Sequence, residues 1–219
     1  SGSAIGMACA SMLSTKEGTA IDWDVYSGPG ITKNAPAKGW SASECDVSEL
    51  ASFLYKSNEP VVVLHGRAEL GPRALGNRSI LAAPGSPAMK DKLNEMKQRE
   101  HYRPVSPICL ERYAPEYFGN FSSDPYMLFD HQVRKEKLNE IAAVCHIDGS
   151  ARLQTIDAKR NIFLADLLTK FHSLSGVPVL CNTSANFNGK GFFPDVQSAT
   201  SWVGADYVWC EGTLYSKQK

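Results

Sequence analysis

The stretch VVVLHGRAELGPRALGNRSILA, Val61 to Ala82, decides how this chain is read. It opens directly after Pro60 on four apolar residues, three of them β-branched, a composition suited to a strand buried on both faces. It closes on SILA, a second strand. Between the two lie Arg67, Arg73 and Arg78, punctuated by Gly66, Gly71, Gly76 and Pro72. Glycines let a turn adopt conformations that other residues avoid, and they let backbone N–H groups approach a ligand. The turn therefore concentrates fixed positive charge where two buried strands meet a flexible segment.

Outward from this stretch the pattern is regular. Asp46 and Glu49 have capping-box spacing and predict a helix to about Lys56. Ser86-Pro87 is a cap and first-turn pair for a helix with Met89, Leu93 and Met96 on one face. PVSPICL (104–110) and PYMLF (125–129) read as strands, with a short helix near Glu116 between them. In AAVCHIDGSARLQTI (142–156), Asp148-Gly149 predicts a two-residue hairpin turn, with Arg152, Gln154 and Ile156 on one face of the second arm. An amphipathic helix from about Ala158 to Ser173 follows, then a strand, GVPVLCN. NTSANFNGKG is a polar loop, Asp195 to Val203 a helix, and DYVWC and TLYS are closing strands. Hairpins mixed with strand–helix alternation predict an α/β protein with a mixed sheet, not a doubly wound parallel one.

Residues 1–13, small and apolar, read as a helix left over from another domain. Residues 14–45, rich in Gly, Pro, Ser and Asn, read as a linker pinned by Trp23, Tyr26 and Trp40. Residues 46–219 form the main domain.

The 219 residues carry 23 basic and 23 acidic side chains, so a global basic field is absent and any basic site is local. Nucleic acid is thus an unlikely partner. No run suits a membrane span and no signal peptide opens the chain. The six cysteines show no CxxC pair, as expected of a reduced, cytoplasmic protein. The histidines lack HxxxH or HExxH spacing, so no protein-ligated metal is expected. A GxSxG elbow and a P-loop are also missing, which leaves covalent catalysis and Walker-type phosphate binding without support.

Four polar clusters sit at the ends of apolar runs. They are the turn with Arg67, Arg73 and Arg78; Lys97-Gln98-Arg99 with Arg103; Arg152 with Gln154; and Asn182-Thr183-Ser184-Ala185-Asn186. Guanidinium forks, an ammonium and small hydroxyl and amide groups together suit phosphate oxygens. Each cluster also has a structural reading: a solvated arginine, a cation at a helix C-terminus, an ordinary SxN turn, or an Arg152 paired with a carboxylate.

GRAELGPRALGNRSILA, KQRExYRPVSP, PYM, DGSARLQT and VPVLCNTSANFNGKG occur here in the order found in carbamoyltransferases of the nodulation protein U and nebramycin synthase type. From residue 46 to 216 the chain resembles the C-terminal domain of that family. The resemblance implies a YrdC-like fold, a twisted mixed sheet with a concave cleft, preceded by a short remnant of an ASKHA-type domain. It implies activation of carbamoyl phosphate with ATP to carbamoyl-adenylate, Mg²⁺ riding on the ATP phosphates. The ASKHA-type half, which carries a histidine-ligated iron, would then transfer the carbamoyl group to a hydroxyl. KxR and SxN, the marks of YrdC-type proteins, are Lys97-Gln98-Arg99 and Ser184-Ala185-Asn186. Lys97, Arg99 and Arg152 are then the catalytic residues, Lys97 and Arg99 holding phosphate and carbamoyl oxygens. Arg73 and Arg152 clamp the carbamoyl phosphate or the α-phosphate, and Arg67 and Arg78 shape the same wall. Arg103, Gln154, Asn182, Thr183, Ser184 and Asn186 complete the substrate and nucleotide contacts. Ala185 stands where the family usually has Phe. The alternatives are an RNA-binding YrdC-like module, whose affinity would fall steeply with salt, and a non-catalytic partner domain.

Overall fold

The structure, a computed structural model, describes residues 2–15, 20, 24–32, 34–187 and 189–218. Trp23, expected to pin the linker, lies outside them. In chain order the first elements are helix α1 (Gly2–Thr15), strand β1 (Trp40–Glu44), α2 (Val47–Ser57), β2 (Val61–Leu64), β3 (Arg78–Ala82), α3 (Pro87–Met96) and β4 (Ser106–Leu110). There follow α4 (Ala114–Tyr117), β5 (Phe118–Gly119), β6 (His131–Val133), β7 (Ser150–Ala151) and β8 (Gln154–Ile156). The last are α5 (Ile162–Ser175), β9 (Val179–Ser184), α6 (Val196–Thr200), β10 (Tyr207–Cys210) and β11 (Thr213–Lys217).

The apolar run of β2 is wholly buried because it lies inside an eight-stranded sheet of order β1-β11-β10-β2-β3-β9-β4-β8. The β10–β2 and β4–β8 pairs are parallel and the others antiparallel, the mixed sheet that the sequence predicts. Successive strand residues serve opposite faces. Val61 and Val63 pack with Leu50 and Leu54 of α2 and Phe163 and Leu167 of α5. Val62 and Leu64 pack with Met89 and Leu93 of α3, Val196 of α6, and Phe118, Val133 and Ala151 of a small sheet ordered β5-β6-β7. Both halves of the α2 capping box form: the Glu49 N–H donates to Asp46 Oδ1 and the Asp46 N–H to Glu49 Oε2, each at 2.8 Å.

Several local expectations are corrected. PYMLF is not a strand. The buried Asp124 carboxylate accepts the backbone N–H groups of Tyr126, Leu128 and Phe129 at 2.7 to 3.3 Å, which removes the donors that a ladder would use. The strand comes later, at β6. The Asp148-Gly149 turn does close, the Gly149 N–H donating to the His146 carbonyl at 3.1 Å, but no hairpin follows. Ala142–Val144 makes one turn of 3₁₀ helix, and Ser150-Ala151 pair with β6 instead. Helix α5 starts at Ile162, not near Ala158, because Asn161 caps it by accepting the Leu164 N–H at 2.9 Å. Helix α6 stops at Thr200, short of Val203. Residues 40–44, inside the segment read as a linker, form β1 against β11.

Register brings distant motifs to one end of the large sheet. Ser79 pairs with Ser184, Ser106 with Asn182 and Ile108 with Gln154. The start of β3, the end of β9 and the starts of β4 and β8 therefore lie together. All six cysteines are free, and Cys109 and Cys181 are buried. Among the described residues no helix is long and apolar enough to cross a membrane.

Gly76 has φ +114°, and a Cβ there would sit 2.2 Å from Leu164 Cδ1. Strain and overpacking act together, so Gly76→Ala is expected to lower stability by about 2–4 kcal/mol in urea denaturation. A loss under about 0.5 kcal/mol would contradict this account of the turn.

Candidate functional site

Between β2 and β3 the chain has no ladder of its own, so its backbone polar groups need other partners. Glu69, 3% exposed, supplies three of them. Its Oε1 accepts the backbone N–H groups of Leu75 at 2.6 Å, Asn77 at 2.8 Å and Arg78 at 3.3 Å. Burial raises the Glu69 pKa, while these backbone bonds work against the shift. The turn's carbonyls are held from the neighbouring strands. Gln154 Nε2 donates to the Leu75 carbonyl at 3.0 Å, and Asn182 Nδ2 to the Ala74 carbonyl at 2.9 Å and to Gln154 Oε1 at 3.2 Å. Tyr26 Oη also donates to the Leu75 carbonyl, at 2.9 Å. The turn is rigid because side chains grip it from both sides.

Beside this turn opens a chamber of about 230 Å³, lined by Arg73, Arg99, Arg103, Arg152, Asn182, Thr183 and Ser184 among others. Through Pro72, Arg73, Met127 and Arg152 it adjoins a larger, more apolar chamber of about 630 Å³, which adds Val25, Leu70, Leu75, Tyr126 and Leu128. The four guanidinium groups are only partly neutralised. Arg103 Nε bonds Glu100 at 2.9 Å on an exposed surface, where such a pair is weak. Arg152 Nε stands 3.9 Å from Asp130, and among the described residues Arg73 makes no ion pair. Arg99 donates to Asn94 Oδ1 at 2.6 Å; burial, then the Arg103 guanidinium, lowers its pKa.

Lys97 caps the C-terminal end of α3 and is 8% exposed. Its ammonium donates to the Ser184 carbonyl at 2.5 Å, Ser184 Oγ at 2.8 Å and Asn186 Oδ1 at 2.7 Å, and Ser184 Oγ donates to Asn186 Oδ1 at 2.9 Å. The KxR and SxN motifs are thus one connected cluster. Burial, and next the Arg99 guanidinium, lower the Lys97 pKa to about 7.

Not every residue singled out in the sequence reaches the chamber. Arg78 is 1% exposed, and its Nη1 and Nη2 donate to the carbonyls of His65, Asn77, Pro29 and Gly66, so its charge ties loops together. Burial lowers its pKa, opposed by the Glu69 charge. Arg67 turns outward, donating to the Ser27 carbonyl at 2.9 Å. Gln154 lines a neighbouring cavity with Tyr26, Tyr126 and Asn161. Glu69 and Asp124 escaped sequence reasoning; the available signal was a lone acid inside a Gly- or Pro-interrupted segment that needs acceptors for its N–H groups. Among the described residues no group of three or more His, Cys, Asp and Glu side chains could hold a metal ion.

Residues 52–217 match the family described as Carbamoyltransferase C-terminus. The chain is 55% identical over 219 residues to nodulation protein U of Rhizobium tropici, covering 100% of this chain and 38% of that protein. It is 54% identical over 217 residues to nodulation protein U of Bradyrhizobium diazoefficiens, covering 99% of this chain and 38% of that one. To 3'-hydroxymethylcephem-O-carbamoyltransferase of Amycolatopsis lactamdurans it is 43% identical over 195 residues, 88% of this chain and 37% of that enzyme. The chain therefore spans less than two fifths of the length of these curated relatives.

Removing the Glu69 carboxylate orphans three buried donors. Glu69→Ala is expected to cost about 3 kcal/mol in urea denaturation, whereas Glu69→Gln, which keeps an accepting oxygen, should stay within about 1 kcal/mol of the parent. Equal losses in both would show that the bonds to the turn are not what matters.

Proposed function

We propose, from the fact that this chain belongs to the carbamoyltransferase C-terminus family, that it activates carbamoyl phosphate with ATP to carbamoyl-adenylate, as part of an O-carbamoyltransferase acting on a small-molecule hydroxyl. The observation that carries this reading is the convergence of Arg73, Arg99, Arg103 and Arg152 on one chamber, with Ser184 of the Lys97 cluster in its wall. The reaction brings two polyanions together, and fixed cations in a partly desolvated chamber offset their repulsion. In balanced form, carbamoyl phosphate, ATP and water give carbamoyl-adenylate, pyrophosphate and phosphate. Water cleaves carbamoyl phosphate to carbamate and phosphate, and a carbamate oxygen then bonds to the α-phosphorus while the bond from that phosphorus to the leaving pyrophosphate breaks. Such a displacement requires alignment and charge stabilisation but no protein nucleophile.

In this reading Arg73 and Arg152, shared by both chambers, clamp the phosphate groups at the junction. Lys97 and Arg99 hold phosphate and carbamoyl oxygens, Ser184 and Asn186 orient them, and the apolar chamber takes the nucleoside. Mg²⁺ carried on the ATP phosphates would neutralise part of their charge. An ASKHA-type half with its own iron would complete the transfer, residues 1–13 belonging to it and the segment before β1 leading away from it. The name of the Amycolatopsis relative, a hydroxymethylcephem O-carbamoyltransferase, supports a hydroxyl as acceptor. The use of ATP supports a cytoplasmic location.

Two outcomes test the reading. The chain should release pyrophosphate from ATP only when carbamoyl phosphate is present, and Lys97→Ala should reduce that release at least about 100-fold with the fold intact by circular dichroism. ATP binding without turnover in the parent chain would reduce it to a binding half. The second outcome concerns pH. The Lys97 ammonium, with a pKa of about 7 in the free chain, already donates to Ser184 and Asn186; an anion bound beside Ser184 attracts its charge, so the bound pKa is higher and binding takes up a proton above pH 7. Affinity for carbamoyl phosphate should fall up to roughly tenfold per pH unit above 7, measured by calorimetry, and Lys97→Arg should flatten that slope.

A further inference from the structure

Resting on the reading above, we propose that Asn182 is a specificity-determining residue, whose Oδ1 accepts a hydrogen bond from the amino group of the carbamoyl substrate. Asn182 lines the cationic chamber and is 2% exposed. Among the described chamber-lining residues, its Oδ1 is the one buried side-chain polar atom that lacks a hydrogen-bond partner. Buried polar atoms are normally paired, so an orphan at a ligand chamber marks a bond that a ligand completes.

The orientation of this amide is set by its neighbours. Nδ2 faces two acceptors, the Ala74 carbonyl and Gln154 Oε1. Gln154 cannot reverse to suit the opposite orientation, because its own Nε2 is committed to the Leu75 carbonyl. Turning Asn182 over would set Oδ1 against two oxygens, so Oδ1 is held on the side away from the turn. The other polar side chains that line the chamber are guanidinium and hydroxyl groups. Phosphate oxygens are acceptors as well and satisfy the arginines but not this atom. A ligand that fits both must carry anionic oxygens and an N–H donor close together, as a carbamoyl phosphate does. Acetyl phosphate has the same shape with a methyl in place of the amino group, and it would leave Oδ1 buried and unpaired. Sites built to bond a donor reject analogues that lack it.

The test compares the affinities of the chain for carbamoyl phosphate and acetyl phosphate by calorimetry at fixed pH and salt. The parent chain is expected to prefer carbamoyl phosphate by about tenfold, in line with the penalty for an unmade buried bond. Asn182→Ala should bring that ratio close to one. Arg103→Ala removes a chamber cation without touching the Asn182 amide, so it should weaken both ligands alike and keep the preference. Should Asn182→Ala fail to fold, Asn182→Ser and the parent ratio still decide. An unchanged ratio in the Asn182 variants, an equal collapse in Arg103→Ala, or a parent that binds both ligands equally would overturn the proposal while leaving the adenylation reading in place. A parent that binds neither ligand would overturn that reading and this inference with it.

Discussion

A backbone segment that leaves a sheet without entering a helix must still satisfy its N–H and C=O groups, and the turn bearing Arg73 does so through buried side chains. The Glu69 carboxylate takes three N–H groups, while Gln154, Asn182 and Tyr26 take two carbonyls. The rest of the site depends on this grip. A flexible turn would spend binding energy on ordering itself before its arginine met a ligand. The same grip orients the Asn182 amide, so the bonds that stiffen the turn also fix which way that amide faces.

Charge alone would have misdirected the assignment of roles. Arg73 and Arg78 are five residues apart in one turn, yet Arg73 faces two chambers and Arg78 is spent on four carbonyls. The difference lies in burial. Arg78 begins β3 inside the sheet, where a guanidinium must find acceptors for its donors. Arg73 stands on the exposed arc of the turn, where its fork remains available for planar, bidentate contact with phosphate. Lys97 lies between these extremes: fully bonded to the SxN segment, with its proton loosely held because it is buried and, next, because Arg99 is close.

Much was legible before any coordinates. The β-branched run at Val61, the capping box at Asp46, the strand around Val179 and the helix bearing Phe163 and Leu167 each announce themselves by local pattern. So do the four polar clusters, because each interrupts or ends an apolar run. Other features left no such trace. WSASE carries no strand pattern, and it is extended only because β11 offers an open edge. PYMLF has the composition of a strand, but Asp124 consumes its donors. The arms beside Asp148-Gly149 would suit a hairpin had β6 not supplied a better partner.

By itself, then, the sequence determined the element types, the mixed character of the sheet and the chemical inventory of the site, since these follow from periodicity, capping and residue type over a few neighbours. Only the tertiary structure decided which groups meet. Strand register places Ser79 against Ser184 and Ser106 against Asn182, bringing four segments to one end of the sheet. It also decided that Arg73 serves the chamber while Arg78 serves the fold, and that Lys97 and Asn186, 89 positions apart, share a hydrogen bond. Those outcomes depend on burial and partner geometry across the sheet, which no local pattern encodes.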